Sequence, residues 1–268
     1  MPIRSRRFGG RPPRTLATLA LLVLTAGAVT ACGDHDSATS RAGGAKQHMI
    51  DRGGHRLAFH VTPGHGPTVI AYDRAGLGKS GVVPGPWKVE SAVRDLESGL
   101  RQLGVTENVT LVAHSQAGAI ATYFARANPR MLCGAVLVDA NFTDEEIARL
   151  VAFTRPQVDA AKKDPDKPRN RQLISTAESF VATSKAYHEV RWPDAVPATV
   201  VVSEKTPFDG SPEDARRWRD AAASFVQDGP RRTLVTAEGS SHDVPIDRPG
   251  LVLEEIESMV ATRQQPQH

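Results

Sequence analysis

The stretch Leu111–Ala119, LVAHSQAGA, decides how the rest of the chain is read. Three apolar residues run into His114 and Ser115, and small residues follow, so the spacing predicts a strand turning sharply into a helix with a serine at the tip. Taken alone, Ser115 reads equally well as the N-cap of that helix. A serine hydroxyl becomes a nucleophile only when a base takes its proton and an acid holds that base in one tautomer. The question is therefore whether the chain supplies both at the same edge of one sheet.

Outward from this stretch, strand-like and helix-like segments alternate. HRLAFHV alternates as an early strand, TVIAYD is a continuous apolar run, and RAGLGKSG is a glycine-rich loop. Val93, Leu96, Leu100 and Leu103 recur at helical spacing, NVTLVAH is the next strand, and a helix is expected from about Gln116 to Asn128 before Pro129. GAVLVDA and ATVVVSE read as buried strands, RRTLVTAEG as the last strand, and helices are expected over Ser211–Gln227 and Pro249–Arg263. Such alternation predicts an α/β fold with a mostly parallel sheet and helices on both faces. Residues 141–197 break the rhythm: they are polar, helical and punctuated by prolines between two core strands, as expected of a helical cap inserted over the sheet.

In an open parallel sheet, loops from different strands meet at the carboxyl ends. The last strand is followed by SSHDVPIDRP, which brings His242 to the rim where Ser115 lies. The segments AYDRAGLGKSG, LVAHSQAG and SSHDVPIDRP, in that order, resemble the α/β-hydrolase fold family, over about Leu57 to Met259. The resemblance implies that Ser115 attacks a carbonyl, that His242 acts as base and then acid, and that the Gln116 N–H is one oxyanion donor. Alanines 113 and 117 stand where that pattern has glycine. For the acid, one family position falls on Thr206, which carries no charge; the other is the end of the preceding strand, occupied by Asp139. Asp139 is preferred and Asp209 is second. No metal or organic cofactor is implied.

The family also uses a second oxyanion donor from a loop after an early strand, followed by a helix. Here GPT runs straight into VIAYDRAG, so a strand, its loop and a crossover helix are expected to be missing from the N-terminal part of the fold. Two functions follow: a serine hydrolase of carboxylic esters working through an acyl-enzyme, or a catalytically impaired relative that binds a small apolar ligand or a partner. Serine at the elbow, rather than aspartate, argues against haloalkane dehalogenase or epoxide hydrolase chemistry. Leu150, Val151, Phe153, Phe180, Tyr187 and Trp192 of the cap are candidates for an acyl pocket, though packing explains most of them.

The N-terminus has its own logic. Residues 1–31 carry five arginines and no acid, then the apolar run LATLALLVLTAGAVTA. This reads as an export signal, and Val29-Thr30-Ala31-Cys32 resembles a bacterial lipobox. That resemblance implies cleavage before Cys32, lipidation of its sulfur and attachment to the outer face of the cell membrane. Residues 32–47 then form a polar tether and 48–268 the folded domain. Without the five arginines, 28 of the chain's 33 basic residues remain against 30 acids, so the formal charge of +3 belongs to the leader and gives no reason to expect nucleic acid. After Cys32 only Cys133 remains, so no internal disulfide between two ordinary thiols is available, and Cys133 is expected to be a small buried hydrophobe.

Overall fold

The computed structural model describes residues 44–64, 67–83, 85–140, 144–205 and 211–262. The leader, Cys32, the acid candidate Asp209 and its neighbour Thr206 lie outside them. The helices and strands sit where the patterns place them, with two additions, a first strand and a four-residue helix just before the last one. Strand β1 (Lys46–Arg52), which begins two residues inside the expected tether, forms a hairpin with β2 (His55–Thr62) through Gly53-Gly54, both at positive φ. Strand β3 (Val69–Tyr72) pairs antiparallel with β2. The helix α1 (Val89–Gln102) follows, then β4 (Val109–His114), α2 (Ala117–Ala127) and β5 (Leu132–Val138).

Two helices, α3 (Asp144–Ala161) and α4 (Pro168–His188), pack on each other between β5 and β6 (Ala198–Ser203), as expected of the cap. The chain closes with α5 (Pro212–Gln227), β7 (Arg232–Ala237), a short helix α6 (Val244–Asp247) and α7 (Pro249–Thr262). Helix α5 starts at a reciprocal cap in which the Ser211 hydroxyl accepts the Asp214 N–H and the Asp214 carboxylate accepts the Ser211 N–H.

Strands β4-β5-β6-β7 form one parallel sheet, in that order. Apolar residues alternate across β5 and β6 and both faces are covered. Ala135, Leu137, Val200 and Val202 pack towards α1, α2 and α5 around Phe124 and Trp218, while Val136, Val138 and Val201 pack towards α7 around Val252 and Met259. Close approach is secured at Gly134, where a Cβ would strike the Met259 side chain. Cys133 departs from expectation. The β4–β5 register skips from Val109↔Leu132 to Thr110↔Gly134, so Cys133 occupies the bulge and is half-exposed rather than buried.

The four-stranded sheet does not continue into β1-β2-β3, which forms a separate three-stranded antiparallel sheet. The break in the ladder falls between β3 and β4, whereas the strand and crossover that the sequence lacks would come, along the chain, between β2 and β3, before VIAYDRAG. The two sheets are joined through α1, whose Leu96, together with Ile70 of β3, packs against the hydrophobic clusters of both halves. Among the described residues no helix is long and apolar enough to cross a membrane.

Candidate active site

Three strands of the parallel sheet end at one rim. Directly after β4, Ser115 adopts φ 56°, and directly after β5, Asp139 adopts φ 48°, both in the left-handed region that side chains other than glycine rarely enter. Each such residue costs about 1–3 kcal/mol and persists because its surroundings dictate it. The Ser115 N–H donates to the Val138 carbonyl at 3.0 Å and the Asp139 N–H to the Val201 carbonyl at 2.7 Å, so both turns are tied to the neighbouring strand. The alanines at 113 and 117 fit because the tight contact has moved one residue along. A Cβ on Gly118 would lie 2.5 Å from the Ala140 Cβ and 2.7 Å from its carbonyl oxygen. Gly118→Ala is accordingly expected to destabilise the fold by about 1–3 kcal/mol through overpacking, read by chemical denaturation, with loss of whatever activity depends on the elbow.

The side chains at this rim form one relay. His242 Nε2 lies 2.8 Å from Ser115 Oγ, and His242 Nδ1 lies 2.8 Å from Asp139 Oδ2. The Asp139 carboxylate is fully buried and its other oxygen, Oδ1, accepts the Ser203 N–H at 2.8 Å and the Trp218 indole N–H at 2.7 Å. The Ser203 hydroxyl lies 2.7 Å from Oδ2. An anion so held stays in place, and with Nδ1–H directed at it the imidazole presents an unprotonated Nε2 to the serine. Ser203 and Trp218 were not visible as site residues in the sequence. Their contacts with Asp139 span 64 and 79 positions, and no local pattern signals such a pairing.

His114 lies against the His242 ring with centroids 4.7 Å apart. Its Nε2–H donates to the His242 carbonyl at 2.8 Å and so fixes the loop carrying that residue, while its buried Nδ1 has no hydrogen-bond partner among the described residues. Burial, with a smaller push from His242, lowers the pKa of His114. The unfolded chain therefore takes up this proton first, near about pH 6.5. The stability that depends on a neutral His114 is complete above that pH and is lost as pH falls through it towards the lower folded value. Melting temperature should fall on acidification from about pH 7 to 5. His114→Gln, which keeps a donor and removes the titration, should flatten that slope.

The Gln116 N–H, first in line after the serine, has no acceptor among the described residues and is free for a developing oxyanion. The side chain of Gln116 accepts a hydrogen bond from Arg74 Nη1 at 2.9 Å. Arg74 projects from the glycine-rich loop after β3. That loop is folded on itself: Asp73 accepts the Lys79 N–H at 2.9 Å, and Ser80 bridges the Asp73 carbonyl and the Ala58 N–H. Of the cap residues, Tyr187 and Trp192 are buried in the main core, Leu150 packs against it, and Phe153 is exposed. Tyr187 donates to the Ala140 carbonyl at 3.1 Å.

Comparison with known proteins follows the same lines. The model of a family described as the alpha/beta hydrolase family matches residues 53–255. An uncharacterized protein, YqjL, of Bacillus subtilis (strain 168) is 26% identical over 189 residues, covering 69% of each chain. A thermophilic esterase from Thermogutta terrifontis superposes with a TM-score of 0.54 at 21% identity, over 82% of this chain and 100% of that one. The haloalkane dehalogenase DatA from Agrobacterium tumefaciens C58 gives a TM-score of 0.60 at 13% identity, over 82% and 97%. At these identities the two structures speak for the fold alone.

Proposed function

Because the chain belongs to the alpha/beta hydrolase family, we propose that it is a serine hydrolase of carboxylic esters working through an acyl-enzyme. The observation that carries the reading is the continuous relay Ser115–His242–Asp139, with 2.8 Å at each link. Ser115 Oγ attacks the ester carbonyl carbon as its proton passes to His242 Nε2, and Asp139 stabilises the imidazolium. The carbonyl oxygen becomes an oxyanion that takes the Gln116 N–H. Collapse breaks the bond to the alcohol oxygen, which leaves with the proton from His242. Water, deprotonated by His242, then attacks the acyl-Ser115 ester, and Ser115 recovers its proton as the acid departs. A serine nucleophile separates this chemistry from that of a dehalogenase sharing the fold.

The break in the family pattern between β2 and β3, where a strand, its loop and a crossover helix are lacking, removes the expected source of a second oxyanion donor, and loss of one such donor costs about 100- to 1,000-fold in rate. Turnover is therefore slow by the standards of the family. The same break supports a second reading, an impaired hydrolase-like scaffold that binds a small apolar ligand or a partner. A fluorophosphonate probe separates the two. Stoichiometric labelling of Ser115, absent in Ser115→Ala, together with release of acid from simple esters, supports the enzyme; no labelling and no acid release rejects it. In the cell we place the protein outside the cytoplasm, anchored to the membrane through a lipid on Cys32. Globomycin-sensitive processing with fatty-acid labelling that disappears in Cys32→Ser tests this.

A further inference from the structure

The elbow carries one polar arm that the relay does not use. Among the described residues the Gln116 side chain makes no hydrogen bond to Ser115, His242 or Asp139; it meets Arg74, whose Nη1 donates to Gln116 Oε1 at 2.9 Å. Arg74 stands two residues beyond β3 and Gln116 two residues beyond β4, so this bond spans the break between the sheets right beside the nucleophile.

The chemistry of the pair fixes which way the amide points. A guanidinium has only N–H groups to offer, so Oε1 must face Arg74 and the NH₂ must face the other way. Nε2 has no acceptor among the described residues and is not sealed from solvent. Arg74 makes no ion pair among the described residues, so its charge polarises the amide instead of being cancelled by a carboxylate. The loop beneath it is set in advance: the Leu77 N–H donates to the Arg74 carbonyl at 2.8 Å and the Gly76 N–H to the Gly81 carbonyl at 2.9 Å. Two donors can share one oxyanion when they stand no more than ~6 Å apart, twice a contact of about 3 Å. The backbone N and Nε2 of one glutamine lie within that span in all but its most extended rotamers.

We infer that the Gln116 side-chain amide is the second oxyanion donor, in place of the donor loop lacking between β2 and β3, and that Arg74 is the positioning residue that aims and polarises it. The inference deepens the reading of Ser115 as nucleophile and rests on it. As Ser115 Oγ bonds to the carbonyl carbon and its proton passes to His242 Nε2, the C=O π pair moves onto the oxygen. That oxyanion accepts the Gln116 N–H and one Nε2–H, and releases both when the C=O re-forms and the alcohol leaves. A side chain holds its aim less tightly than a backbone donor, so the amide offsets only part of the loss ascribed above to the missing loop.

Gln116→Met keeps the backbone N–H and the side-chain length but removes the amide. It should lower kcat on a chromogenic ester by about 100-fold with KM nearly unchanged, as for a contact made only in the transition state. Sulfur accepts hydrogen bonds poorly, so the rate ratio between an ester and its thionoester reports the donors at this oxygen and is indifferent to general damage. That ratio should fall by about tenfold in Gln116→Met. Arg74→Met should move the ratio in the same direction and lower kcat by about tenfold, yet cost nothing further in the Gln116→Met background. A wild type that is labelled at Ser115 and active, and whose kcat and ratio survive Gln116→Met, overturns the inference and leaves the hydrolase reading standing. A fall in kcat with an unchanged ratio does the same, because the loss is then structural. Independent losses from the two substitutions overturn the role of Arg74. No labelling and no ester cleavage by the wild type removes the hydrolase reading and this inference together.

Discussion

Ser115→Ala is expected to lower ester turnover by about 10⁴-fold or more, to the level of whatever the remaining groups achieve by binding alone. His242→Ala should cost about as much, and the double variant no more than either single one. The reason lies in the relay: His242 Nε2 has one partner to activate, Ser115 Oγ at 2.8 Å, and neither group has a role without the other. Steady-state kinetics on a chromogenic ester, with the probe-labelled fraction as active-site titre, measures all three. Additive losses would place the two side chains in separate steps and break the proposed mechanism.

Asp139→Asn should cost about 10³- to 10⁴-fold in kcat while leaving the fold nearly intact. The surroundings dictate which way the amide sits. Oδ1 of Asp139 receives two N–H donors, from the Ser203 backbone and the Trp218 indole, so the asparagine oxygen must take that place. Its NH₂ then faces His242 Nδ1, which must become the acceptor, and the ring proton moves to Nε2. A protonated Nε2 has no lone pair for the Ser115 proton. Asp139→Ala, by contrast, leaves the buried Ser203 N–H without its carboxylate, at about 1–3 kcal/mol, and should unfold at lower denaturant. If asparagine kept most of the wild-type rate, the carboxylate would be structural and the tautomer argument would fall.

The sequence makes β2 to β7 legible because each is an apolar run or alternation bounded by turn residues, and it makes the cap legible because prolines and polar helices interrupt that rhythm. Strand β1 escapes: KQHMIDR is an edge strand with most of its residues exposed, so burial imposes no alternation on it, and Gly53-Gly54 is its one signal. Placing Ser115, His242 and Asp139 at one rim follows from strand order alone. The partners of Asp139 do not, because Ser203 reaches it only once β6 has paired with β5 and Trp218 only once α5 has docked on the sheet. Arg74 is similar: its motif marks a turn, but the turn's aim towards Gln116 is a property of the folded loop.

The interruption between β3 and β4 divides labour inside the molecule. Ser115, Asp139 and His242 all hang from the four-stranded ladder, whereas Tyr72 and Arg74 hang from the three-stranded one, and no backbone ladder ties the pieces together. Side chains hold the smaller layer instead, through Leu96 of α1, Ile70 of β3 and the hydrogen bond from Arg74 to Gln116, so weakening these contacts should loosen that layer before the reactive trio loses its spacing.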